Sequence, residues 1–232
     1  MTELLGRLGE IARMVPPDTV LYDVGCDHGH VPISLISSGR IPFAVASDLR
    51  EGPLLRAKEN AGKEGVWDRM EFFCSDGLRE VPLRERGGSG NTLLITGMGG
   101  KEILKILTEG KEKLPFFSGF LFSPQSQIAE FRKGLKPLRI RITDESLVLD
   151  GGKHYFLIFC IHGEDACLSR MDYELGPFFF QKKDEAHRTW LEKRLGTLEG
   201  LLAGRDIPGT RREELAEELA LYRKAVMQYE MP

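Results

Sequence analysis

Asp23-Val24-Gly25-Cys26-Asp27-His28-Gly29 lies between an apolar, strand-like run, Val20 to Val24, and an apolar, helix-like run, Pro32 to Ser38. A strand that stops on a carboxylate and turns through Gly25 and Gly29 into a helix brings bare backbone close to a ligand. Glycine tolerates both the turn and the approach. Dinucleotide-binding loops keep the spacing G-x-G-x-x-G. Asp23, Gly25 and Gly29 instead fit a [D/E]-x-G-x-G-x-G frame, with Asp27 in the place of the middle glycine. The stretch predicts a nucleotide-cofactor loop on an α/β sheet.

The rest of the chain limits what such a loop can belong to. Its 232 residues suggest one large domain, or one domain with an appendage, and either buries a substantial core. Charged residues make up 29% and hydrophobic ones 41%, which excludes disordered and fibrous classes. Glu3, Arg7, Glu10 and Arg13 interrupt the apolar residues of the N-terminus, so no signal-peptide h-region is present there. No apolar run approaches the roughly 20 residues of a membrane span. Cys26, Cys74, Cys160 and Cys167 are scattered and form no C-x-x-C pair, which speaks against metal and disulfide roles. The expectation is a reduced, soluble, cytoplasmic protein with no membrane partner and no metal. The formal net charge is −3, and the part after Gly163 holds 14 acidic and 11 basic residues, so any RNA surface must be a local patch. Oligomeric state is open.

From Thr19 to about Gly163, short apolar runs alternate with longer amphipathic ones, as β/α units around a parallel sheet require. Strands are predicted at Val20–Val24, Phe43–Ser47, Met70–Cys74, Thr92–Thr96 and Gly119–Ser123, then at Leu138–Leu149 and His154–His162. Helices are predicted at Pro32–Ser38, Pro53–Lys63, Gly100–Leu107 and Ile128–Leu135. The last two strands are joined by Asp150-Gly151-Gly152-Lys153, too short for a crossover helix, so they pair antiparallel. Five parallel strands followed by an antiparallel hairpin is the order associated with the Rossmann-like sheet of class I methyltransferases. An NAD-binding sheet would end in another parallel strand.

Beyond Gly163 the composition shifts toward Glu, Arg, Lys and Leu. Leu191, Leu195, Leu198 and Leu202 form one seam of coiled-coil spacing, and Leu215, Leu219, Tyr222, Val226 and Tyr229 form another. Gly204, Pro208 and Gly209 break the pattern between them. The expected organisation is a cofactor-binding domain over residues 1–163 and a C-terminal antiparallel helical coiled-coil hairpin within 164–232. This hairpin either packs or dimerises, or it offers RNA the cations Lys182, Lys183, Arg188, Lys193, Arg194, Arg205, Arg211 and Arg212. Phe178, Phe179 and Phe180 are expected to seat the tail on the sheet domain rather than to stack on RNA.

Within this frame particular residues acquire roles. Asp23, Gly25 and Gly29 surround the cofactor, with Asp23 accepting hydrogen bonds around its amino-acid part or else capping the turn. Asp48 follows the second strand 25 residues after Asp23, close to the spacing at which nucleotide-binding folds set an acid on ribose hydroxyls. Ser75-Asp76-Gly77 follows the third strand, where methyltransferases present an acid or amide to the adenine amine; the alternative is a turn-forming Asp-Gly. Gly97-Met98-Gly99-Gly100 closes the fourth strand and removes side-chain bulk where cofactor and acceptor meet. A [D/N]-P-P-[Y/F] motif is absent from that position.

Asp23-Val-Gly-Cys-Asp-His-Gly, Glu51-Gly-Pro-Leu, Ser75-Asp-Gly-Leu, Gly97-Met-Gly-Gly, Pro124-Gln125 and Gly152-Lys-His-Tyr155 occur in this order. As an ordered set they resemble the bacterial tRNA (adenine-22-N1)-methyltransferase family, the TrmK-like proteins. The resemblance covers residues 1 to about 162 and implies S-adenosylmethionine as cofactor and an adenine N1 in the tRNA D-arm as acceptor. Asp27 then becomes the candidate for stabilising the cationic product ring, with loop stabilisation as its alternative. His28 either positions base or cofactor or is a turn residue. Gln125 would read an adenine edge and Tyr155 would stack on the base, or both are ordinary loop and hairpin residues. Two other readings stay open: an RNA adaptor that binds cofactor without turnover, and a small-molecule methyltransferase whose helical arm dimerises.

Overall fold

The computed structural model describes residues 4–84, 90–164, 168–204 and 208–230. The chain divides into two compact units, Met1–Ala166 and Cys167–Pro232. In the first, the elements are α1 (Gly6–Met14), β1 (Val20–Val24), α2 (His30–Ser37), β2 (Phe43–Asp48), α3 (Glu51–Lys63), β3 (Met70–Cys74), β4 (Asn91–Thr96), α4 (Gly100–Glu109), β5 (Gly119–Ser123), α5 (Ile128–Leu135), β6 (Ile140–Asp150) and β7 (Lys153–His162). The sheet order is β3-β2-β1-β4-β5-β7-β6. β1 to β5 pair in parallel, and β7 runs antiparallel between β5 and β6.

Strand periodicity sorts the core into two layers. Leu21, Ala44, Ala46, Leu94, Leu121 and Leu157 belong to one cluster with Ile11 of α1, Ile33 and Ile36 of α2, and Leu54, Ala57 and Ala61 of α3. The intervening residues carry aromatic contacts on the other face, where Phe122 meets Phe131 of α5 edge-on at 5.2 Å and Tyr22 meets Phe117 at 5.2 Å. Every residue of β1, β2 and β5 is buried. Central strands covered on both faces read as continuous apolar runs for this reason.

Local chemistry sets the element ends. Asp150 pairs with Lys153 across Gly151 and Gly152, whose φ values of +53° and +77° supply the two left-handed residues of a tight hairpin turn. α2 and α3 begin two residues earlier than expected, at His30 and Glu51, and so Pro32 and Pro53 occupy third helical positions. A first-turn N–H has no intrahelical partner, so proline costs nothing there. The helix α1 is an addition to the predicted set. Its Ile11 and Met14 are buried one turn apart against the sheet.

The second unit holds α6 (Arg170–Leu175), α7 (Pro177–Lys182), α8 (Glu185–Leu202) and α9 (Gly209–Glu230). α8 and α9 are antiparallel: His187 Nδ1 lies 2.7 Å from Tyr229 Oη at one end, and Arg212 donates to the Leu202 carbonyl at 3.2 Å at the other. Leu191, Leu198, Leu215, Leu219, Tyr222 and Tyr229 are buried along the seam, with Leu195, Leu202 and Val226 partly so. Phe179 stacks on His187 at 4.3 Å, and Phe180 meets Tyr229 at 5.5 Å, within this unit. The expected cation cluster is largely engaged. Arg188, Arg194 and Arg211 pair with Glu192, Glu218 and Glu214 at 3.0, 2.7 and 2.8 Å, while Arg212 covers carbonyls at the end of α8. Arg205 lies outside the described residues, as does Cys167.

Candidate active site

β1 has β2 on one side and β4 on the other, so the strand order reverses there and a crevice opens beyond the carboxyl ends of the strands. A cleft of about 690 Å³ occupies that position. Asp23, Gly25, Asp27 and His28 line it from the first loop, Asp48 from the second, Asp76 and Gly77 from the third, Gly97 and Met98 from the fourth, and Gln125 from the fifth.

The first loop explains its own irregularity. Gly25, Asp27 and Gly29 have φ of +79°, +48° and +68°, so the middle position is left-handed whichever residue fills it. Aspartate tolerates that region better than most side chains, though with strain that glycine would not carry. The Asp48 carboxylate helps hold the conformation: Oδ2 accepts the Asp27 N–H at 3.4 Å and Oδ1 accepts the Arg50 N–H at 3.0 Å. Asp27's own carboxylate is exposed, 3.6 Å from His28 Nε2.

Asp23 is buried beneath this loop. Burial, reinforced by the charges of Asp48 and Asp27, pushes its carboxyl up to about 7. The same three acids and, above all, burial push the Cys26 thiol far up, so it stays protonated and is no nucleophile. Asp76 stands on a loop clamped from below by Lys113, whose ammonium donates to the carbonyls of Leu78, Arg79 and Val81 at 2.6, 2.8 and 2.8 Å. Surface competition for the Asp76 carboxylate comes from Arg79 at 3.7 Å.

Three expected site residues, Gly29, Gly99 and Tyr155, fall outside the lining. Gly29 caps α2, where a Cβ would stand 3.1 Å from Ala57 Cβ, so its bareness serves helix packing. Gly99 and Gly100 serve the loop after β5: a Cβ on Gly99 would meet Ser126 Oγ at 2.9 Å, and one on Gly100 the carbonyls of Ser126 and Gln127 at 2.8 Å. Only Gly97 and Met98 of the Gly-Met-Gly-Gly stretch face the cleft. Tyr155 is not in the lining either. Arg7 lies over its ring, 4.7 Å from the centroid, where a base was expected to stack.

The lining also includes residues with no motif to mark them: Arg7 and Leu8 from α1, Arg50 after β2, and Glu102 and Ile106 from α4. The i, i+4 spacing of Glu102 and Ile106 was the available signal for a shared helix face. Among the described residues, no group of three or more His, Cys, Asp or Glu could hold a metal ion, and no helix is long and apolar enough to cross a membrane.

An antiparallel strand wedged between β5 and β6, beside a carboxylate-lined crevice at the β1/β4 reversal, defines a class I methyltransferase. Known proteins agree. The sequence matches the family described as Methyltransferase domain over residues 4–158. It is 28% identical over 187 residues to the tRNA (adenine(22)-N(1))-methyltransferase of Bacillus subtilis (strain 168), covering 78% of this chain and 77% of that protein. Streptococcus pneumoniae Sp1610 in complex with S-adenosyl-L-methionine has a TM-score of 0.84 and 27% identity, covering 95% of this chain and 98% of that one. M. capricolum TrmK bound to S-adenosylhomocysteine has the same fold, with a TM-score of 0.84 at 24% identity, covering 98% and 100%. The chain belongs to the methyltransferase-domain family, among its TrmK-like members.

The residues present fit S-adenosylmethionine. Its sulfonium and ammonium are cations, and the cleft offers Asp23, Asp27, Asp48, Asp76 and Glu102. The raised Asp23 carboxyl marks a buried acid that a cation would stabilise in its ionised form. Asp48 lines the cleft with a carboxylate, an acceptor of the charge-assisted kind whose bonds contribute about 1.5–3 kcal/mol each.

Proposed function

We infer that this chain methylates N1 of adenine 22 in the D-arm of tRNA. The observation that carries the reading is the acidic cleft at the β1/β4 reversal in a chain that aligns over most of its length with the B. subtilis tRNA (adenine(22)-N(1))-methyltransferase. Bound S-adenosylmethionine supplies the electrophilic methyl group. Adenine N1 carries an in-plane lone pair and no proton, so no general base is required of the protein. The cleft residues hold cofactor and base in line. Gln125 stands beside Gly97 with its amide free to meet an adenine edge. The exposed Asp27 carboxylate faces the ring as it becomes cationic, an interaction that strengthens toward the transition state. Because N1 is a pairing position, the adenine must leave its stack, at a cost of a few kcal/mol.

We assign residues 1–163 to cofactor binding and catalysis and 164–232 to a helical part that supports tRNA binding. The separate compactness of the C-terminal unit supports this division. Truncation after residue 163 is expected to lower tRNA methylation while keeping cofactor binding.

The deciding experiment incubates the full chain with S-adenosylmethionine and unmodified tRNA, followed by mass-spectrometric mapping of nucleosides. 1-Methyladenosine at position 22, lost when adenine 22 is replaced by guanine, is expected. Transfer to small molecules alone would overturn the reading.

A further inference from the structure

α1 carries a cation into the cleft that the reaction described above leaves unused. Gly6 turns the chain at φ +57°, the Arg7 N–H donates to Asp150 Oδ2 at 3.0 Å, and Ser146 Oγ donates to Glu10 Oε1 at 2.6 Å. These bonds clip α1 to the turn end of the β6–β7 hairpin and to the body of β6. A side chain at Gly6 is excluded, since a Cβ would stand 2.7 Å from Asp150 Oδ2. Arg7 is thereby fixed in position, and its guanidinium lies against the Tyr155 ring at 4.7 Å from the centroid. The register Phe120↔Cys160 and Phe122↔Ile158 places Tyr155 beyond the carboxyl end of β5.

Five carboxylates line the same cleft, yet no ion pair joins the Arg7 guanidinium to any of them among the described residues. A cleft of that charge attracts a cationic cofactor and repels the backbone of an entering RNA. Lys and Arg in its described lining are limited to Arg7 and Arg50, and Arg50 follows Asp48 at the end of β2, on the other side of β1 from β5. An arginine pressed on the target base would oppose the positive charge that N1 methylation creates. A phosphate is the partner that suits a planar, ring-backed guanidinium, which can offer it two parallel N–H donors.

We propose that Arg7 contacts an RNA phosphate beside the target adenine, with Tyr155 as the platform that aims the guanidinium. The assignment rests on tRNA being the substrate. It is tested with the full chain as wild type, Arg7→Gln and Arg7→Lys, measuring tRNA affinity against salt, steady-state kinetics and S-adenosylmethionine affinity by calorimetry. Arg7→Gln is expected to raise KM for tRNA about tenfold and to reduce the slope of log affinity against log salt by about 0.7–0.9. Turnover at saturating tRNA and cofactor affinity should change less than about twofold, since the contact is made before and after transfer alike. Arg7→Lys keeps the charge, hence the slope, but loses the planar fork and raises KM by roughly threefold.

An unchanged salt slope in Arg7→Gln, or a loss of cofactor affinity equal to the loss of tRNA affinity, would overturn the assignment. If Arg7→Gln shows no cooperative melting, Arg7→Lys decides: a raised KM at unchanged slope supports the contact, and an unchanged KM removes it. A wild-type chain that methylates no tRNA sinks the substrate reading itself. Methylation by the wild type with indifferent variants sinks the Arg7 assignment alone.

Discussion

The Asp48 carboxylate accepts the backbone N–H of Asp27 at 3.4 Å, so the acid that ends β2 also steadies the non-glycine residue of the β1 loop. Its other oxygen fixes Arg50 at the start of the α3 approach. Removing the carboxylate therefore frees two loops and would withdraw the acceptor proposed for the ribose. Asp48→Ala is expected to weaken S-adenosylhomocysteine binding about 30- to 100-fold, equivalent to roughly 2–3 kcal/mol. A calorimetric titration that finds less than about a threefold change removes the ribose assignment.

Asp27 permits a cleaner separation of loop and charge. Its φ of +48° is strained for any residue with a Cβ, so Asp27→Gly relieves strain while deleting the carboxylate. The variant is expected to melt as well as the wild type or better, by up to about 1 kcal/mol, and to bind cofactor within about threefold. Turnover should fall roughly 10- to 100-fold if the carboxylate stabilises the cationic adenine. Asp27→Ala keeps the strain and should lose stability as well. Parallel losses of affinity and turnover in Asp27→Gly would make it a loop residue.

The sheet was legible because its central strands are short, mainly apolar runs and its final turn is two glycines long. The loop acids were legible for the same reason, since strand ends fix their spacing. Contacts between distant segments were not. Nothing in Gly-Met-Gly-Gly distinguishes Gly97, which faces the cleft, from Gly100, which is bare because the loop after β5 crosses it. Tyr155 was aromatic at a suitable place, but only the docking of α1 shows that Arg7 covers it. α1 itself is short, and charges alternate with its apolar residues. α6 did leave a signal that seam counting passed over: Ser169 and Asp172 form a capping box, and Pro177 opens α7 after Gly176.

Asp23 makes the protein's pH response depend on its ligand. Its carboxyl is held near 7 by burial and by Asp48 and Asp27, against an ordinary value of 3.8. The folded state thus binds the proton more tightly than the unfolded one. The resulting stability is fully present below pH 3.8 and is lost as pH rises through about 7. Without cofactor, Asp23→Asn is expected to gain on the wild type as pH rises from about 4 to 7, its advantage being larger at pH 8 than at pH 5 by roughly 1–3 kcal/mol. Cofactor affinity of the wild type should rise through pH 7 as the carboxylate ionises to meet a cation, and the variant should lose that dependence. Thermal melts at the two pH values, paired with calorimetry, check both signs. A variant advantage that is the same at pH 5 and pH 8 would sink the account.

Arg132 of α5 and Glu145 of β6 are both fully buried, with Nε and Nη2 each 2.9 Å from Glu145 Oε1 and the guanidinium 5.5 Å from the Phe156 ring centroid. The pair joins the helix that follows the Gln125 loop to a strand whose register shifts between Ile142 and Asp144. Two charges moved from water into the core gain little net energy, but one left there alone is costly. Arg132→Met or Glu145→Leu alone is expected to destabilise the chain by about 3–5 kcal/mol in urea denaturation. The double variant, which replaces both charges with apolar side chains, should recover most of that loss and fall within about 1–2 kcal/mol of the wild type. Additive losses would mean that each side chain acts through its own separate contacts, and the ion pair would then have no special place in fixing α5 against β6.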